Sequence, residues 1–225
     1  MASSIPDSIS NLKQLTHLDL ENNVMTGTLP PALSSMQKLQ YLFLGQNSFQ
    51  ATDIPSELQD LVSLKQLSLN NLGLTGTIPS WITNLLSLSL LDLRENNLTG
   101  TLDVDFSKFH SMKHLMLHDN KLAGSLPESL GTMKELQVLS IYRNALTGSA
   151  NPVCDGDNHI YLIASDCSKI TCDCCDKCCD EDSCYDNRGW DDLEETRWDQ
   201  HYSRADYSFN PNILNGAQEP RDGSV

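Results

Sequence analysis

Residues 85–102 read LLSLSLLDLRENNLTGTL, with leucines at short and regular intervals. The same arrangement begins at Leu12, returns five more times and can be written LxxLxxLxLxxNxLxGxIPxxL. Its asparagine column contains Asn23, Asn47, Leu72, Asn96, Asn120 and Asn144, at spacings of 24, 25, 24, 24 and 24 residues. The one longer spacing comes from an insertion between Gln50 and Asp53. An internal period of this regularity predicts a protein built by stacking one structural unit.

Each Leu-x-Leu segment of the repeat, such as Leu91 and Leu93, predicts a short strand. Because side chains alternate along a strand, both leucines point inward and the residue between them points outward. One unit cannot bury its apolar side alone, whereas six stacked units join their strands into a parallel sheet over a continuous leucine core. The sequence therefore predicts a solenoid of six repeats, preceded by an incomplete one at Ile5, Pro6 and Ile9.

Asparagine, glycine and proline have separate roles in the repeat. The asparagine amide can bond backbone groups where the chain leaves the strand, which predicts a ladder of asparagines interrupted once, at Leu72. Glycine permits a turn that a Cβ would crowd, and proline fixes φ before a short 3₁₀ or helical turn on the outer side. These positions are Gly27, Gly76, Gly100, Gly124, Gly148, Pro30, Pro55, Pro79 and Pro127.

The runs LTGTIP at 74–79, LTGTL at 98–102 and LAGSLP at 122–127 resemble the plant-type leucine-rich repeat. The resemblance covers about residues 1–150 and implies an α/β fold, a right-handed solenoid or horseshoe. In that fold one parallel sheet lines the concave face and short 3₁₀ or helical turns lie on the convex side. The family includes receptor-like ectodomains and polygalacturonase inhibitors, which implies recognition of a peptide, protein or glycan. The block CDCCDKCC from Cys172 resembles the ending of leucine-rich repeat proteins in some microalgae.

Charge and hydropathy exclude several classes of function. The chain has 30 acidic and 15 basic residues and a formal net charge of −15, so it offers no basic surface to nucleic acid. No apolar run approaches the roughly 18 residues that cross a bilayer. The motifs GxSxG, HExxH, GxGxxG and the P-loop are absent from the sequence. We therefore expect no enzymatic activity, no metal site and no cofactor.

The outward-facing positions of the predicted strands form the expected binding face. Aromatic residues, methionine and arginine are common anchors of protein interfaces. On this basis ligand contacts are predicted for Tyr41, Phe43, Arg94, Met116, His118, Tyr142 and Arg143. For any one of these residues, an ordinary surface position is an equally good interpretation.

All eight cysteines lie in one segment of 31 residues, at Cys154, Cys167, Cys172, Cys174, Cys175, Cys178, Cys179 and Cys184. An even number of cysteines in a segment with few aliphatic residues favours disulfides, because such a segment cannot build a core of its own. The pair Cys154 and Cys167 would span the last coil. A metal cluster is the alternative, since Cys172, Cys175 and Cys178 have zinc-knuckle spacing. Free or redox-active thiols are a third interpretation.

Composition divides the chain into a solenoid (1–153), a cysteine-rich cap (154–184) and an acidic tail (185–225). Residues 1–150 hold 13 acidic and 9 basic residues, and the remainder holds 17 and 6. The tail is predicted to be disordered, with a calcium loop or a linker of a longer protein as alternatives. Leu162, Ala164 and Cys167 fit the spacing LxLxxN, which predicts one further strand.

The predicted function is that of a non-catalytic recognition module on or outside the cell. The cysteines favour an oxidising compartment, and the absence of a leader at Met1 favours a truncated N-terminus. A structural adhesion or cell-wall protein and an intracellular scaffold are the alternatives. Asn97-Leu98-Thr99 is the one N-glycosylation sequon, although Asn and Thr are also consensus residues of the repeat.

Overall fold

Each repeat forms one coil, and the coils stack so that their strands pair side by side. The computed structural model describes residues 4–155, 160–180 and 183–186, and the predicted acidic tail lies outside them apart from its first two residues. Within these ranges nine strands in chain order form one sheet, the main sheet. They are His17–Asp19, Tyr41–Phe43, Gln66–Ser68, Leu90–Asp92, His114–Met116, Val138–Ser140, Leu162–Ser165, Lys177–Cys179 and Cys184–Asp186. The first eight are parallel, and the last is antiparallel to its neighbour.

The register of the main sheet places the repeated leucines side by side. Leu18, Leu42, Leu67, Leu91, Leu115 and Leu139 are partners across successive strands. Leu44, Leu69 and Leu93, two residues further along their coils, are 0% exposed. These residues belong to one hydrophobic core that follows the length of the stack. The predicted leucine-rich repeat solenoid is thereby confirmed, and its stability is a sum of contacts between neighbouring coils.

A second, smaller sheet forms on the flank where the chain leaves the main strands. Its parallel strands are Thr99–Gly100, Lys121–Ser125, Ala145–Ser149 and Ile170–Thr171. Gly100 has a φ of +80°, and a Cβ at this position would lie 2.7 Å from Cγ2 of Thr77 in the preceding coil. The glycine is thus required both by the turn and by close packing of the threonine methyl group.

Short 3₁₀ helices form the outer side of the solenoid. They are Asp7–Asn11, Pro31–Ser35, Ser56–Asp60, Ser80–Asn84, Phe106–Lys108 and Glu128–Thr132, followed by one α-helical turn at Asn151–Cys154. The predicted prolines precede them, as Pro79 does with φ −75° and ψ 144°. In the fifth coil Asp105 takes this place and its side chain accepts a hydrogen bond from the Ser107 N–H. The helix there is three residues long, against five elsewhere.

The asparagine ladder has the predicted form. Asn120 donates through Nδ2 to the carbonyls of Leu117 and His118 in its own coil and of Leu93 in the preceding one, at 2.9–3.2 Å. Its Oδ1 accepts from the Leu98 N–H at 3.0 Å. Each asparagine therefore bonds two coils together. Leu72, which interrupts the ladder, is 3% exposed and packs in the core.

The residue before each ladder position adopts a left-handed backbone conformation, which the sequence did not predict. These residues are Asn22, Gln46, Asn71, Glu95, Asp119 and Arg143, with φ between 50° and 57°. Non-glycine residues enter this region at some cost, asparagine and aspartate least. The conformation turns the chain off each strand at the edge of the main sheet.

The cysteine-rich segment continues the main sheet and is linked by four disulfides. Cys154 is bonded to Cys174, Cys167 to Cys178, Cys172 to Cys175 and Cys179 to Cys184. The pairing of Cys154 with Cys167 was therefore wrong. Cys154 lies at the end of the α-helical turn, whereas Cys167 follows a main-sheet strand and meets Cys178 on the next one.

The register of this segment also differs from the prediction by one residue. Ile163, not Leu162, pairs with the inward-facing Leu139, and Ile163 is 0% exposed within the core. Leu162 therefore lies beside the outward-facing Val138. A shift of one residue exchanges the two faces of a strand. The spacing LxLxxN could not reveal the shift, because this coil contains a deletion relative to the repeat of 24.

Replacing Cys154 and Cys174 together by serine is expected to lower the free energy of unfolding by about 3 kcal/mol. Their disulfide closes a loop of 20 residues, and the entropic stabilisation grows with loop length. The matched control replaces Cys172 and Cys175, three residues apart, with about half that expected loss. Urea unfolding followed by circular dichroism measures both. Equal losses would show that loop closure does not determine the difference.

Candidate functional site

Three columns of side chains lie on the outward face of the main sheet. The first column is His17, Tyr41, Gln66, Leu90, His114 and Val138. The second is Asp19, Phe43, Ser68, Asp92, Met116 and Ser140. The third, after the second leucine of each strand, is Glu21, Gly45, Asn70, Arg94, His118 and Tyr142. All seven predicted contact residues belong to these columns or, for Arg143, to the next position along the chain.

Four of the predicted residues, Arg94, His118, Tyr142 and Arg143, form what we call the recognition cluster. The rings of His118 and Tyr142 stack with centroids 4.5 Å apart and planes at 17°. The Arg143 guanidinium lies 5.4 Å from the centroid of Tyr142, a cation–π contact. Arg143 also lies 3.5 Å from Asp119 and donates to the Asp180 carbonyl at 3.3 Å. The cluster thus offers aromatic and cationic groups in fixed positions at one end of the face.

Burial determines the protonation of the histidine and tyrosine in the recognition cluster. Burial, followed by the charges of Arg94 and Arg143, lowers the pKa of His118 to about 3. The imidazole is therefore neutral at ordinary pH, and its Nδ1 lies 2.7 Å from the Ser140 hydroxyl. Burial and the nearby Asp119 carboxylate raise the pKa of Tyr142 to about 12. The arginines are therefore the cationic groups of the cluster.

Asp92 forms a buried acidic base beside Arg94. Its carboxyl is 0% exposed, accepts from the Arg94 N–H at 3.1 Å and lies 3.5 Å from Arg94 Nε. Burial raises the pKa of Asp92 to about 7, and Arg94 opposes this effect. The Ser68 hydroxyl lies 3.5 Å from the same carboxyl. At neutral pH the group is therefore near its titration midpoint, which is unusual for aspartate.

The polar base includes Asn70, a residue that sequence reasoning missed. The Ser68 hydroxyl donates to Asn70 Oδ1 at 3.0 Å, while Asn70 Nδ2 is buried and has no hydrogen-bond partner among the described residues. Gly45 makes room for this side chain, since a Cβ there would lie 1.5 Å from Asn70 Oδ1. A polar side chain beside a glycine in the next coil is the signal that could have identified the pair.

Tyr41 and Phe43 lie away from the recognition cluster and have little exposed surface. They are 8% and 2% exposed, and Met116 is 0% exposed. Tyr41 stacks on His17 at 4.2 Å between centroids, and Lys65 Nζ lies 6.0 Å from its ring. The expectation that these side chains are open to solvent was wrong. Strands about 4.8 Å apart leave little room around each outward-facing side chain. Contact with a ligand stays a prediction for all seven residues.

The cysteine block also contains a group of close sulfur atoms. Sγ atoms of Cys154, Cys172 and Cys174 lie within 4.8 Å of one another. All eight cysteines are nevertheless joined in disulfides, and none is free. A disulfide sulfur is not the thiolate that zinc requires. The disulfide interpretation of the sequence is thus supported over the metal cluster and the free thiols.

The chain matches known leucine-rich repeat proteins of plants. The profile of the family described as Leucine Rich Repeat matches residues 14–36, 63–85, 87–109 and 111–133. Receptor-like protein 49 of Arabidopsis thaliana is 43% identical over 54 residues, which are 24% of this chain and 6% of that protein. The chain therefore spans less than a tenth of the length of this relative.

Solved plant ectodomains share the fold. The plant peptide hormone receptor RGFR1 in complex with RGF2 aligns with a TM-score of 0.68 and 32% identity, over 76% of this chain and 27% of that one. The ectodomain of the receptor kinase GASSHO1/SCHENGEN3 from Arabidopsis thaliana, in complex with CASPARIAN STRIP INTEGRITY FACTOR 2, aligns with a TM-score of 0.61 and 39% identity. That alignment covers 66% of this chain and 18% of the ectodomain.

These matches concern the repeats, and two other features stay as they were. The resemblance of the cysteine block to microalgal proteins remains a prediction. Across the described parts of the chain, no helix has the length and apolar character needed to span a bilayer.

Proposed function

Because the solenoid of this chain belongs to the plant-type leucine-rich repeat family, we propose that the chain is a non-catalytic, receptor-like recognition module. Its ligand is a peptide or a peptide segment of a protein, bound on the outward face of the main sheet. The recognition cluster is the observation that carries this proposal. Relatives whose structures contain a peptide hormone receptor with its ligand support a peptide over a glycan.

The geometry of the cluster favours binding with little ordering cost. Arg143 is held by Tyr142, Asp119 and the Asp180 carbonyl, and Tyr142 is held by His118. Immobilising a flexible side chain on binding costs about 0.5–1.5 kcal/mol, and these contacts reduce that cost before the ligand arrives. Arginine and tyrosine are also enriched among residues that dominate binding energy.

We place the protein outside the cell or on its surface. Four disulfides in one segment are typical of oxidising compartments. They argue against an intracellular scaffold, in which thiols are kept reduced. The receptor-like character of the relatives supports the same location.

Selection of random linear peptides on phage against the full oxidised chain tests the proposal. Replacing Arg94, Tyr142 and Arg143 together by alanine is expected to weaken the selected peptides at least tenfold, because the triple variant removes both cations and the aromatic platform. Biolayer interferometry gives the dissociation constants. Phe43 is left unchanged because it is 2% exposed and its truncation would disturb packing.

The matched control replaces Lys108 and Lys134, which are exposed and lie outside the main sheet. It removes the same positive charge without changing the binding face, so affinity is expected to be unchanged. Peptides that bind the triple variant as well as the native chain would place recognition elsewhere. Binding of oligosaccharides in place of peptides would overturn the ligand class.

A further inference from the structure

Asn97 occupies a position that faces solvent in successive coils. It follows the ladder residue Asn96, and the equivalent residues Val24, Lys121 and Ala145 are all exposed. Val24 is 67% exposed although it is apolar. This column therefore accepts side chains of different size and polarity without any change in the core. A large substituent at this position would extend into solvent.

The two neighbouring asparagines have opposite surroundings. Asn96 is 7% exposed, and its Nδ2 donates to the carbonyls of Leu69, Leu93 and Arg94. Asn97 is exposed, and within the described ranges its side-chain amide makes no hydrogen bond. The structure thus separates a structural asparagine from one whose Nδ2 is accessible.

We propose that Asn97 is an N-linked glycosylation site. Asn97-Leu98-Thr99 is the one sequon in the sequence, and the sequon marks surface positions of secreted proteins. The four disulfides place the chain in the oxidising compartment in which this modification occurs. The donor is a lipid-diphosphate-linked oligosaccharide. Asn97 Nδ2 forms a bond to C1 of the sugar and loses one proton, while the bond from C1 to the lipid diphosphate breaks.

The backbone at the sequon is fixed, so the glycan projects in a defined direction. The Asn97 N–H donates to the Leu74 carbonyl at 2.8 Å, and the Thr99 N–H donates to the Gly76 carbonyl at 2.7 Å. Asn97 precedes the Thr99–Gly100 strand of the second sheet, away from the outward face of the main sheet. The glycan therefore stands on the flank of the solenoid, and the site does not depend on the proposed function.

Secretion of the full chain behind a eukaryotic leader tests the site. Endoglycosidase treatment is expected to increase the mobility of the native chain and of Thr99→Ser on a denaturing gel. Asn97→Gln and Thr99→Ala are expected to migrate at the lower mass without treatment. Mass spectrometry of the tryptic peptide is expected to show Asn97 converted to aspartate by the enzyme. A secreted, disulfide-bonded chain with unmodified Asn97 would overturn the assignment.

A gain of modification in the next coil is the matched control. Lys121→Asn combined with Ala123→Thr creates the sequon at the same position of the repeat. This variant is expected to carry a second glycan, because Lys121 is exposed in the same column. Modification of the engineered position with no modification of Asn97 would contradict the proposal for the native residue. Loss of peptide binding in Asn97→Gln would contradict the placement of the glycan away from the ligand.

Discussion

Asn120→Ala is expected to lower the free energy of unfolding by about 4 kcal/mol. The substitution removes the partner of three carbonyls, those of Leu93, Leu117 and His118, and of the Leu98 N–H. A buried polar group without a partner costs about 1–3 kcal/mol, and some of these groups will be reached by water in the cavity left behind. Urea unfolding followed by circular dichroism measures the loss.

Asn23→Ala is the matched control for the ladder. Asn23 is exposed and its Nδ2 donates to carbonyls of its own coil, those of Leu20 and Glu21. Water can replace both bonds, so a loss of less than about 1 kcal/mol is expected. Similar losses for the two variants would show that bonds between coils add nothing to the local turn.

Asp92→Asn is expected to remove a pH dependence of stability from the chain. The pKa of Asp92 is raised from 3.8 to about 7 in the folded protein, so the folded state holds a proton that the unfolded state has already lost. Between these values the free energy of unfolding falls as pH rises, by about 1.4 kcal/mol per pH unit. Asparagine has no such titration. Relative to the native chain, the variant is therefore expected to gain about 4 kcal/mol between pH 4 and pH 8.

Unfolding free energies at pH 4, 6 and 8 test this expectation. Glu95→Gln is the control, since it removes a carboxylate 3.8 Å from Arg94 whose side chain is 44% exposed. Solvent screens that charge, and the pH dependence of the control should follow the native chain. A constant difference between Asp92→Asn and the native chain across this range would show that the carboxyl is not the titrating group.

The solenoid could be predicted from the sequence because the repeat states each structural requirement six times. The leucine period fixed the register of the six strands from His17 to Ser140. The asparagine column fixed the ladder, because an amide has both the donors and the acceptor that the turn needs. The break at Leu72 was also correct, and the hydrophobic core absorbs that side chain.

The cap and the exposure of the face could not be predicted in the same way. The coil at Ile163 deviates from the period, and nothing in the spacing determines which residue faces inward. Eight cysteines allow 105 pairings, and the partner of Cys154 depends on where the helical turn ends. The burial of Phe43 and the raised pKa of Asp92 depend on neighbours in adjacent coils.

The left-handed residues at the end of each strand limit how this surface can diverge. Glu95, Asp119 and Arg143 show that the charge at this position varies freely among unbranched side chains. Valine, isoleucine and threonine are disfavoured there, because a branched Cβ clashes with the backbone at positive φ. Descendants of this chain can thus change ligand preference by exchanging acid for base along one row, while the shape of that row is conserved by the backbone.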